Sequence, residues 1–309
     1  MKLIGMFLLF FVSVFGAVSP AKTLSATAIV TDLAVDNSKI YAATASGTVD
    51  IFDRKTLKKQ KNIVYPKIKN FMGEQMQPKL FSVDVLDGNV LAVLEDKDGF
   101  RSLYLNHKKI IADNAKLFIK KASFVDKNRV LLGLLSNEIM LIDLNTRKIY
   151  FNIQVNTSTF SDFAISENKK MAVIADESDK ITMINIENGQ IVGQFKGQNV
   201  DNIYQIDFKN GTILGCGQDR RLSIYNAKTA KGYYLEGDFL IYSGALSADG
   251  KKGAFAFNEK NEIKVFDVDS KKEIVILKGS KANLTRTIFL NSNEIIASCE
   301  DKTINIWRF

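Results

Sequence analysis

The chain of 309 residues carries 42 Lys and Arg against 34 Asp and Glu, a formal charge of +8, with one histidine and two cysteines. A single histidine, His107, removes most His-based metal sites and leaves only one candidate for a Ser–His or Cys–His dyad. The lysines are scattered, with modest clusters at 55–61 and 116–121 and no arginine-rich stripe interleaved with aromatics. They read as solvated surface, and no nucleic-acid partner is expected.

The first element is a leader. Lys2 precedes a mostly apolar run over 3–15, and small or turn-forming residues follow over 16–21. That order is the signature of a secretory signal peptide. Ser19 and Ala21 fit the small-x-small cleavage rule, which makes Lys22 the first mature residue; a cut after Gly16 is the alternative. The run is shorter than the roughly 20 residues a spanning helix needs, and no later segment is apolar enough to span. The expectation is a signal peptide over 1–21 and a single domain over 22–309. The mature chain is expected in the periplasm, without a transmembrane segment and as a monomer by itself.

From there the chain repeats. Strands that alternate apolar and polar residues end in Phe52, Leu105, Ile142, Ile184, Tyr225, Phe266 and Trp307, at spacings of 53, 37, 42, 41, 41 and 41. In all but the last, Asp or Asn follows. About 15 residues before each lies a tight polar turn, at 36–39, 86–89, 126–128, 167–170, 209–212, 248–251 and 291–294. Asn, Asp and Gly there supply the backbone angles that hairpins need. Each unit therefore reads strand, hairpin, strand, loop, strand and a variable fourth segment. Antiparallel units recurring every 40 to 45 residues are blades of a β-propeller, and seven of them account for the mature chain. The fold expected is all-β, a seven-bladed propeller.

The seventh unit holds three strands, since 303–308 end it. The spare segment 22–30 is predicted to pair beside 303–308 as the fourth strand, closing the ring and covering an edge that would otherwise invite aggregation. Trp307 is then expected to pack between blades seven and one.

The repeats resemble the WD40 family across the mature chain. In GQDRRLSIYN and CEDKTINIWR, Asp219 and Asp301 lie six residues before the aromatic, as in that family, where this Asp braces the loop between the second and third strands. No unit carries Gly-His or Trp-Asp, and Ser46, Ser136 and Ser178 stand where units one, three and four would carry the bracing Asp. The resemblance implies a propeller that holds protein partners. In size, leader, repeat type and richness in Lys, Asn, Ile and Phe, the chain is also similar to the family of L-type accessory proteins encoded with periplasmic nitrate reductases. That similarity implies a non-catalytic role in assembly, maturation or electron delivery of a reductase complex.

The most individual feature is an insertion at 62–81 between blades one and two. It brings Tyr65, Phe71, Met72 and Met76, flanked by Lys67, Lys69 and Lys79. Exposed aromatics and methionines suit a protein-binding patch; the alternative is a loop that tucks these side chains back onto the ring. The candidate contact surface joins them to Asp98, Arg101, Arg220, Arg221 and Lys302 in neighbouring loops. The stretch 95–99 resembles the start of a calcium loop, but His107 occupies the position of the closing Glu, so it reads as a charged hairpin. Cys216 and Cys299 fall in the second strands of blades five and seven and are expected as free thiols. No catalytic set, metal set or cofactor fingerprint is legible. An enzyme of the propeller lactonase or quinoprotein kind, with acidic residues converging in the central channel, and an envelope-protein assembly scaffold are the alternatives.

Overall fold

A computed structural model describes residues 16–309; positions 1–15 of the expected leader lie outside the described residues. Seven four-stranded antiparallel sheets follow one another along the chain. Blade one consists of Val30–Val35, Lys39–Thr44, Thr48–Asp53 and Lys59–Val64. The inner strands of blades two to seven are Leu80–Leu86, Ile119–Phe124, Phe160–Ile165, Ile203–Lys209, Gly244–Leu246 and Leu284–Asn291. Successive inner strands are neighbours, and that of blade seven lies beside that of blade one. The sheets therefore close into a seven-bladed propeller.

Each blade has two apolar faces, and the core is divided accordingly. One cluster fills each junction between blades. Tyr41, Ile51 and Tyr65 meet Leu80, Val90 and Leu94 between blades one and two. Leu24, Ile304 and Ile306 meet Val30, Ile40 and Phe52 between seven and one. Such stacking buries what a single sheet cannot.

The repeating residues now have separate physical roles. The large residue of each third strand packs into a junction, whereas the Asp or Asn after it folds the next turn. Asp53, Asp143, Asn185, Asn226 and Asp267 each accept backbone N–H groups two or three residues on through their side-chain oxygen. Each also takes the N–H four residues ahead on its own carbonyl, from Leu57, Arg147, Gly189, Ala230 and Lys271. All five donors have positive φ, between 56° and 74°. Only Gly189 is suited to that region without strain.

The ring closes as the sequence predicts. Lys22–Ser25 pairs antiparallel with Thr303–Arg308, with Leu24 opposite Ile304 and Lys22 opposite Ile306. A second tie lies just upstream. Val18 donates to Ile276 O at 2.8 Å and accepts from Lys278 N at 2.9 Å, along the outer strand of blade six. A chain cut after Gly16 keeps this tie, and one cut after Ala21 loses it.

Trp307 departs from expectation. It is fully buried against Ala254, Ile263 and Leu277 of blade six, and its Nε1 donates to Lys278 O at 2.9 Å. Strand alternation is the reason: Ile304 and Ile306 share the face toward blade one, so Trp307 must take the other. Cys216 and Cys299 are free and buried, in the second strands of blades five and seven.

Leu24 is the clasp's one buried side chain. Leu24→Ala should lower the unfolding free energy by about 3 kcal/mol, whereas Lys22→Ala should stay within about 0.5 kcal/mol; urea unfolding of both checks this.

Candidate interaction face and channel

The chain enters every inner strand at one end of the ring. The loops between second and third strands open at the same end, so all of them share a face with the insertion. That insertion is a small hairpin, Ile68–Lys69 paired with Gln75–Met76. Asn70 shapes its tip by accepting from Met72 N at 3.0 Å and Glu74 N at 2.9 Å, and Gly73 supplies φ 84°. The two side chains held out there are Phe71, 88% exposed, and Met72, 70% exposed. Met76 is 36% exposed on the returning strand.

Tyr65 does not belong to this patch. It is buried in the junction of blades one and two, its ring edge-on to Tyr104 at 5.1 Å. The chain still follows the alternation of the preceding strand at this point, so Ile63 and Tyr65 face inward while Val64 faces out. The insertion thus tucks back one aromatic and presents the other.

The loop residues occupy the same face but not one patch. Asp98 is exposed on the short helical turn Lys97–Gly99. The neighbouring Asp96 is held inward by Ser102, by Lys109 at 2.7 Å and by Lys97 N. Lys302 is exposed on blade seven. Arg220 is exposed on blade five, across the channel from the hairpin, and Arg221 lies over the Tyr234 ring at 4.3 Å. Asp219 braces this last loop: it accepts from Asn199 Nδ2, Arg221 N and Val200 N at 3.1, 3.0 and 2.7 Å. Arg101 lies flat over the Phe81 ring at 3.6 Å, with Nη1 on Ile119 O.

No motif common to all seven units marks the channel in the sequence. Six of the seven inner strands carry a β-bulge against their neighbour at the third residue or just before it. The bulge turns polar side chains toward the axis. Asp32, Ser82, Lys121, Asp162, Gln205 and Arg286 stand just past it. Lys121 Nζ lies 2.6 Å from Asp162 Oδ1, and Arg286 of blade seven reaches Asp162 Oδ2 of blade four at 3.2 Å. Arg286 Nε also stands 3.9 Å from Asp32. Gln205 Nε2 donates across the axis to Thr285 O at 2.6 Å. This polar layer divides the channel into a cavity of about 150 Å³ at the hairpin face and one of about 280 Å³ beyond it.

Acidic residues do converge here, and each is committed to the ring. Asp32, Asp84, Asp162 and Asp207 accept N–H groups from the next inner strand, on Val83, Phe124, Ile206 and Leu246, at 2.8 to 3.1 Å. Each also accepts the N–H of its own following residue. Burial pushes the Asp32 and Asp84 carboxyls above their ordinary range, against partial relief from Arg286 and Lys121 for Asp32 and from backbone N–H groups for Asp84. Burial acts on Asp162 too, but Lys121 and Arg286 outweigh it and hold that carboxyl below its usual value. Burial likewise opposes the Arg286 charge, yet Asp162, Asp32 and Asp207 raise its pKa above the ordinary value. Among the described residues, no group of three or more His, Cys, Asp or Glu is arranged to hold a metal ion.

In comparisons with known proteins, no family model matches this chain and no curated sequence matches it. Among the described residues, no helix is long and apolar enough to cross a membrane.

Because the folded Asp162 pKa is depressed, its stabilisation is complete above the unfolded value near pH 4 and fades as pH falls through the lower folded value. Asp162→Asn should therefore cost roughly 3 kcal/mol at pH 7. That deficit should shrink toward pH 3, which a series of urea midpoints between those pH values would show.

Proposed function

We propose that this chain is an exported, non-catalytic interaction scaffold that holds a protein partner on the face carrying the hairpin. The observation that carries this reading is the tip at Phe71 and Met72. A hairpin shaped by Asn70 and Gly73 holds two large apolar side chains in water, where they contribute nothing to the fold. Pre-organised apolar anchors are what an interface core uses. Lys67 and Lys69 flank the tip, and Lys302 is exposed in a loop of the same face, so an acidic rim on the partner would suit it. The resemblance to the L-type accessory family makes a periplasmic nitrate reductase complex the first partner to test. That choice rests on size, leader, repeat type and composition.

A photoreactive phenylalanine analogue at position 71, with Tyr150 on an outer blade edge as the control position, tests the reading in the native cell envelope. One adduct of defined mass at 71, missing at 150, is expected. Met72→Ser, with the photoreactive residue kept at 71, should weaken the adduct severalfold while changing stability by less than about 0.5 kcal/mol. Equal labelling at both positions, or none at 71, would overturn the scaffold. An adduct that contains no reductase subunit would leave the scaffold standing and remove the reductase.

A further inference from the structure

The mouth of the channel on the hairpin face has a charge imbalance that the fold does not resolve. Its cavity of about 150 Å³ is lined by Lys120, Lys121 and Arg286 against Asp32 and Asp162. Both carboxylates are engaged, Asp162 by Lys121, Arg286 and Ile206 N, and Asp32 by the Leu33 and Val83 amides. Lys120, half-buried at the rim, donates only to the Phe160 carbonyl, at 3.2 Å, among the described residues. Burial opposes its charge, and so do Arg101 and Lys121, against partial relief from Asp162 and Glu177. Arg101 Nε is buried with no acceptor. Neither cation has a carboxylate within 4.0 Å among the described residues. Arg286 places one N–H on Asp162, has its Nε 3.9 Å from Asp32, and lines this cavity as well as the one beyond.

Two like charges gathered in a partly desolvated pocket oppose each other and raise the cost of burial unless an anion joins them. The pocket is also walled for a small ligand. Phe81 lies under Arg101 on one side, and Tyr204 stacks on Tyr242 at 5.2 Å on the other. We propose that this mouth binds a small oxyanion, a carboxylate or phosphate group, held chiefly by Lys120 with Arg286 in the lining, while Arg101, bonded to the neighbouring Ile119 O, adds positive charge beside it. Charge-assisted hydrogen bonds from an ammonium and a guanidinium are the strong ones for such groups. The site is independent of the hairpin tip: an anion seated here needs neither Phe71 nor Met72.

Titration of the purified chain with inorganic phosphate and with acetate, at constant ionic strength and followed by calorimetry and melting temperature, tests it. Saturable binding is expected, weakened roughly tenfold or more by Lys120→Met. It should persist in Lys120→Arg and in Lys302→Met, a charge removed elsewhere on the same face. Lys120→Met loses a half-buried charge and should melt no lower than the parent, so its loss of binding cannot be laid to unfolding. A phosphate or acetate Kd below about 1 mM identifies a free anion as the ligand. Millimolar binding that still depends on Lys120 identifies an acidic group presented by a larger partner. Equal binding by the parent and Lys120→Met, or no saturable binding of either anion, overturns the proposal.

Discussion

Everything in this molecule depends on a strand that is not contiguous with its sheet. Blade seven has three strands of its own, and Lys22–Ser25 supplies the fourth from the far end of the chain. Without it, Thr303–Arg308 would present a row of unpaired backbone groups, and the cluster of Leu24, Ile304, Ile306 and Phe52 would lose a wall. Because the core is distributed over the junctions, a gap at one of them leaves each adjoining blade with an uncovered face. The contact between Val18 and blade six extends the same device by one blade. Trp307 then anchors the last strand from its other side, through Lys278 O.

The channel shows how charge can serve the same end. Four aspartates on the inner strands each clip the neighbouring strand's amide, so their convergence at the axis is a consequence of joining blades. Arg286 goes further and links blade seven to blade four across the opening. Buried charge of this kind is tolerated because it is paired and hydrogen-bonded. Lys120 and Arg101 differ: they lie on the hairpin side, and among the described residues no carboxylate stands within 4.0 Å of either. The proposed partner face and the proposed anion pocket thus share one end of the ring while the clips hold its interior.

Much of the architecture was legible because propeller repeats write themselves at a fixed period. The third-strand residues from Ile142 to Trp307 mark junction positions, the Asp or Asn after them marks an obligatory turn, and the hairpin turns at 36–39 and 248–251 fall where strands must reverse. Local chemistry demands these residues, so local chemistry finds them. The facing of Trp307 differs from the expectation, and parity decides it: Ile304 and Ile306 take the face toward blade one and leave Trp307 the other. Tyr65 and Phe71 look alike in the sequence because an apolar residue in an insertion carries no mark of direction. Only its spacing from Ile63, two residues along the same strand, separates them. The channel residues escaped notice for another reason. The equivalent positions carry Asp32, Ser82, Lys121, Asp162, Gln205 and Arg286, five residue types over six units, and a bulge displaces them, so no single motif runs through the repeats. A polar residue such as Asp32, Asp162 or Arg286 inside an otherwise apolar inner strand was the available signal.

Hydrogen–deuterium exchange followed by mass spectrometry on the two terminal segments tests the closed ring most directly. Residues 22–25 and 303–308 should both be protected to the level of the blade interiors, and Leu24→Ala should speed exchange in both segments together. Exchange of 22–25 at the rate of free peptide while 303–308 stays protected would contradict the clasp, and with it the arrangement of faces built upon it.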